Sequence, residues 1–230
     1  MDSERDVSGR KKLIAFLLPM AIFITLLTLT GALRKIGGGF WLASPEYWVF
    51  PAQTIVCGAV LVWFWRAYEF HPPARLPSAI AIGLLVFALW IAPQQLFGFA
   101  PRLAGFDPEA FAGHTVLSWL TVIFRFLRLV VVVPLVEEIF WRGFLLRYLI
   151  DEKFSRVPVG TFSWLSFTAV TLGFGFAHSP ADWIAALIAG GLYNYVAYRT
   201  RSLASCVLAH AITNLCLGVW IMATRQWGFW

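Results

Sequence analysis

Charge is what this sequence has least of. Only 13% of its 230 residues are Asp, Glu, Lys or Arg, while 60% are hydrophobic and the mean hydropathy is +0.74. A water-soluble domain of this length needs far more charge to cover its surface, so that class is excluded. The net charge of +6 could suggest nucleic acid, but the basic residues form no continuous stripe of the kind such binding requires. They sit in short clusters beside apolar runs, where they set orientation and meet anionic lipid. Cysteine is also sparse. Cys57, Cys206 and Cys216 lie inside apolar runs without a CxxC spacing and read as small buried hydrophobes. No repeat, low-complexity segment or linker divides the chain, which reads as one domain over 1–230.

What the chain has in abundance is apolar runs of membrane length, since a span needs about 20 apolar residues to cross roughly 30 Å of hydrocarbon. Leu13–Leu33 is free of charge and follows a basic N-terminal stretch. It is too long, and lacks the small-residue cleavage site, to be a signal peptide. Further runs cover Trp48–Trp65, Ser78–Phe97, Thr115–Ile150, Phe162–Ala177, Asp182–Tyr198 and Leu203–Ala223. The expected fold is therefore all-α, a polytopic membrane bundle of about seven helices. An eighth is expected if Thr115–Ile150 divides, because Pro134 lacks the amide donor a helix needs and can kink or break it. Arg125 and Arg128 read as an interfacial portion ahead of the true span. With seven spans, Arg5, Arg10, Lys11, Lys12 and the basic residues around 66–75, 147–156 and 199–201 share one side. Arg34, Lys35, Arg102 and Arg225 fall on the other, which favours a cytoplasmic N-terminus in a cell (inner) membrane.

Against this background three polar groups stand out, because a charge in a bilayer costs roughly 2.5–3.5 kcal/mol on insertion scales and usually marks a site or an internal ion pair. In Val136-Glu137-Glu138-Ile139-Phe140-Trp141-Arg142, Glu138 and Arg142 are four apart and share a helix face. Glu137 lies about 100° away at 3.6 residues per turn and can point elsewhere. One free carboxylate beside one held by a cation suits general-base chemistry, and a structural ion pair is the plainer reading. In Phe174-Gly175-Phe176-Ala177-His178 a histidine ends an apolar run, where an interfacial or hydrogen-bonded role is the commoner one. In His210-Ala211-Ile212-Thr213-Asn214, a histidine and an amide share one face and can hold a water, a metal or a developing oxyanion, or simply tie helices together. His71 and His114 sit beside loop residues and read as solvated.

The ordered set Glu137-Glu138-x-x-x-Arg142, Phe174-x-x-x-His178 and His210-x-x-x-Asn214 resembles the CPBP family, the CAAX prenyl endoproteases and bacteriocin-processing or immunity proteins also called the Abi family. The resemblance covers roughly residues 130–220, with all six polar motif positions matched. It implies an intramembrane endopeptidase cutting near the end of a hydrophobic or lipid-modified, possibly prenylated, protein or peptide. Glu137 would be the general base acting on water with His178. His210 and Asn214 would stabilise the oxyanion or fix the water, and Glu138, paired with Arg142, would orient the site. Either no cofactor or a divalent metal such as zinc is compatible with the family, and in the second case Glu137, His178 and His210 would be the ligands. There is no His-Glu-x-x-His to hold two ligands on one turn, which favours metal-independent activation of water. No Gly-x-Ser-Gly or Gly-x-Gly-Asp supports a serine or aspartyl intramembrane protease.

The competing expectation is a non-catalytic membrane protein: an immunity factor, a scaffold or a small transporter. There the same residues would be interhelical locks, each worth about 0.6 kcal/mol on average. Convergence separates the two. In an enzyme Glu137, His178, His210 and Asn214 must face one cavity with room for water.

Overall fold

A computed structural model describes the backbone of residues 2–230 and the side chains of residues 9–230. Arg5, one of the orientation charges, has its side chain outside the described residues. Each long apolar run folds into one helix: α1 Asp2–Ile36, α2 Glu46–Trp63, α3 Leu76–Leu96, α4 Thr115–Tyr148, α5 Trp164–Phe176, α6 Trp183–Thr200 and α7 Leu203–Thr224. There is no strand among the described residues. Four of these helices, α1, α3, α4 and α7, are long and apolar enough to cross a membrane. Large apolar side chains such as Trp63, Trp164 and Ile184 face outward, as lipid rather than water requires. The chain is an integral membrane protein built as a polytopic helical bundle.

Local chemistry sets the helix ends. Ser202 caps α7 by accepting the Ser205 backbone N–H at 3.3 Å, and Pro77 opens α3 where a missing donor costs nothing. Helices α6 and α7 stop at Arg201 and Arg225, both in the left-handed region. A close helix contact joins α3 to α7. A Cβ on Gly83 would lie 2.5 Å from the Ala209 carbonyl oxygen, so only glycine admits this approach. Thr213 on α7 uses it to donate to the Gly83 carbonyl at 2.8 Å.

Helix α4 runs through the whole Thr115–Tyr148 stretch, so Pro134 does not break it and no eighth span arises there. The excess length is absorbed by two π-helical runs, Arg128–Val132 and Ile139–Leu145. The first explains how the proline is tolerated. The Val133 N–H bonds back to the Arg128 carbonyl, and the next residue, Pro134, has no N–H to offer. The Leu129 carbonyl thus lacks its helical donor. Asn214 of α7 supplies one instead, its Nδ2 donating to the Leu129 oxygen at 2.8 Å.

Arg125 and Arg128, expected at the start of the true span, do not lie open to solvent. Both are buried, 4% and 7% exposed, and each lies against aromatic rings. Arg128 donates through Nε to Gln53 of α2 at 2.6 Å. The local sequence resembles a membrane boundary, but side chains from distant segments close over both guanidinium groups.

Candidate active site

Glu138 and Arg142 project from α4 into the centre of the bundle, and neither has any exposed surface. Arg142 uses every face of its guanidinium. Nη1 donates to Glu138 Oε1 at 3.0 Å, Nε to Asn194 Oδ1 at 3.0 Å and Nη2 to the Gly190 carbonyl at 2.9 Å. Its plane rests against Phe174 at 4.8 Å and Tyr193 at 5.4 Å. Asn194 passes the connection on, donating to the Phe167 carbonyl and to Thr171 Oγ1 of α5 at 3.2 and 3.1 Å. One arginine therefore fixes α4, α5 and α6 together. Gly190 eases this packing, since a Cβ there would crowd the Thr171 carbonyl and the Phe174 ring at 3.2 Å.

Glu138 Oε1 also accepts from His210 Nδ1 at 2.9 Å. This pairing joins two residues 72 apart in sequence and was not read from spacing. Its chemistry determines the tautomer. An ionised carboxylate only accepts, so Nδ1 must carry the proton, and a neutral ring then keeps a lone pair on Nε2. The same holds for His178, whose Nδ1 lies 2.8 Å from the Phe174 carbonyl oxygen, another pure acceptor. Stacking completes the positioning. Tyr193 lies flat on the His210 ring at 5.0 Å, and the Trp90 edge meets the His178 ring at 5.6 Å.

The Oε2 of Glu137 and that of Glu138 are both buried without a hydrogen-bond partner among the described residues. Glu137 differs in that no side chain among them holds its other oxygen, whereas Arg142 and His210 both bond Glu138 Oε1. Glu137 lines a cavity of about 180 Å³ together with His178, His210 and Asn214. The four residues come from α4, α7 and the turn after α5. Glu138 and Arg142 stand behind this cavity and reach it through His210. The cavity thus holds an unpaired carboxylate, two imidazole rings with Nε2 free of the bonds just described, and the Asn214 carboxamide. Asp182 lines it too, but its oxygens are taken by Arg102 Nη1 at 2.6 Å and Ser179 Oγ at 2.5 Å. That leaves Glu137 as the carboxylate free for chemistry there.

Asn194, Tyr193, Trp90, Thr213 and the Phe229–Trp230 end of the chain were missed in the sequence reading. Asn194 carried a usable signal, a carboxamide inside the apolar run of α6. The aromatic residues carried none, because this chain is rich in aromatics throughout.

Glu137, His178 and His210 are the set that would have to hold a metal. Among the described residues no three His, Cys, Asp or Glu side chains are grouped closely enough to bind one ion. As arranged they do not form a metal centre.

Neither a comparison with curated proteins nor one with solved structures gave a match. A family model did, over residues 118–216, the stretch that contains all six polar motif positions. That model is described as Type II CAAX prenyl endopeptidase Rce1-like, and over this stretch the chain is similar to that family.

Proposed function

We propose that the cavity hydrolyses a peptide bond by water activated on Glu137, near the end of a hydrophobic or lipid-modified, CAAX-like substrate. The observation that carries this reading is the meeting of Glu137, His178, His210 and Asn214 around one cavity while Glu138 and Arg142 stay sealed behind it. A water there gives one hydrogen to the Glu137 carboxylate and directs its second to an imidazole Nε2. Its oxygen attacks the scissile carbonyl. The developing oxyanion takes a hydrogen bond from the Asn214 N–H that Leu129 does not use. Glu137 then returns its proton to the leaving nitrogen as the C–N bond breaks, releasing an acid and an amine.

His210 needs its fixed tautomer for this, and Glu138 supplies it. Arg142 keeps Glu138 aligned through the 3.0 Å pair, so both act as positioning residues. The chemistry lies within residues 130–220 of one membrane domain whose N-terminus is cytoplasmic.

The test is cleavage by purified protein in detergent, with prenylated C-terminal peptides and unmodified hydrophobic peptides as the panel. Wild type is compared with Glu137→Gln, each with and without a chelator. General-base loss should lower turnover by about 10²–10⁴-fold while the variant stays folded. Activity that survives the chelator keeps the metal-free route. Activity lost to the chelator and restored by zinc would assign Glu137, His178 and His210 as ligands instead. Equal activity in Glu137→Gln would overturn the reading.

A further inference from the structure

A second chamber, of about 360 Å³, adjoins the cavity just described and shares Trp230 with it as a common wall. Arg125 of α4 lines it and is 4% exposed. The guanidinium stacks against Phe50, Phe106 and Trp230 at 4.9–5.0 Å. Its Nε and Nη1 have no hydrogen-bond acceptor among the described residues, and neither has the Trp230 Nε1.

The nearest charge balance does not remove the anomaly. The acid lining the chamber is Glu46, and its Oε2 already pairs with Arg34 Nη2 at 2.8 Å. Arg128, three residues along the same helix, adds a second buried cation whose hydrogen-bond partner is a neutral amide, Gln53. Two arginines thus line the chamber against one carboxylate. Stacking on rings contributes to holding a cation but leaves its N–H donors unsatisfied, and buried donors without acceptors are costly. An arginine kept in that condition, with aromatic faces around it and room for a headgroup-sized ligand, is suited to bind an anion with an apolar body.

We propose that this chamber is an oxyanion-binding site, taking a carboxylate or phosphate attached to an apolar chain. The oxyanion accepts from Arg125, with Arg34 at the rim, and the chain lies along Phe50, Phe106 and Trp230. The site holds whether or not the neighbouring cavity hydrolyses peptides, and its test uses no cleavage readout.

The test is thermal unfolding of the full chain in dodecyl maltoside, for wild type and Arg125→Gln. Sub-micellar laurate, dodecyl phosphate, the neutral dodecanamide and inorganic phosphate are the probes. Laurate or dodecyl phosphate should raise the wild-type Tm saturably by about 2–4 °C, and dodecanamide should not. Arg125→Gln should lose the shift. A matching rise with inorganic phosphate would identify the free anion as sufficient, and a rise confined to the chain-bearing probes would identify an amphipathic ligand. Dodecanamide acting as well as laurate, or Arg125→Gln keeping the full shift, would overturn the proposal. The acid-against-amide comparison on wild type decides the matter by itself if Arg125→Gln does not accumulate.

Discussion

Of the four buried arginines on helix α4, Arg142 and Arg125 are held in opposite ways. Arg142 has no exposed surface and meets an acceptor with each of its three nitrogens. Arg125 is nearly as buried, yet two of its nitrogens meet none among the described residues. The two carboxylates of the same helix repeat the contrast. Glu138 Oε1 is bonded from two sides, while Glu137 faces a cavity with Oε2 unpaired. Buried charge serves the fold where an opposite charge holds it, even with one oxygen left over as in Glu138. It is available to a ligand or a reaction where nothing holds it.

Substitutions can break this comparison, beginning with the largest effect. Glu137→Gln should remove two to four orders of magnitude of turnover, read as peptide cleavage, with the unfolding midpoint unchanged within error. Arg142→Ala should cost about 3–5 kcal/mol of stability by stranding Glu138, measured by denaturant unfolding in detergent micelles, and activity should fall with it. Arg142→Lys should recover little, because an ammonium cannot reach Glu138, Asn194 and Gly190 together. Asn214→Ala should lose about 10²–10³ in kcat through the missing oxyanion donor. Its stability should fall by about 1–3 kcal/mol, since the Leu129 carbonyl is orphaned again.

The smallest expected effect sharpens the contrast most. Arg125→Met should leave stability unchanged or slightly raised in the absence of anions, because no bonded partner is stranded. A loss as large as that of Arg142→Ala would mean that Arg125 is structural after all.

The helices were legible in the sequence because each is an uninterrupted apolar run, and their ends fell where Pro, Gly or charge clusters stood. The Glu138–Arg142 pair was legible because both partners lie one turn apart on one helix. His210 against Glu138 was not, since α4 and α7 are far apart in sequence and spacing carries no information across that gap. Pro134 was legible as a disturbance and illegible as to its outcome. Whether a missing donor breaks a helix depends on whether another segment can serve the stranded carbonyl, and Asn214 does so from α7. The burial of Arg125 and Arg128 was illegible for a related reason: the rings that cover them come from Phe23, Phe50, Phe106 and Trp230.

Helix α5 has a consequence for the lipid itself. Its 13 residues rise about 20 Å, while the hydrocarbon layer is roughly 30 Å thick. Trp164, Leu165, Leu172 and Phe176 are exposed along it, so it presents a greasy but short face to the bilayer. Such a hydrophobic mismatch is relieved by local thinning, at fractions of a kcal/mol per Å. The side of the protein bearing His178 is therefore where the bilayer is expected to thin, drawing the headgroups towards the end of α5.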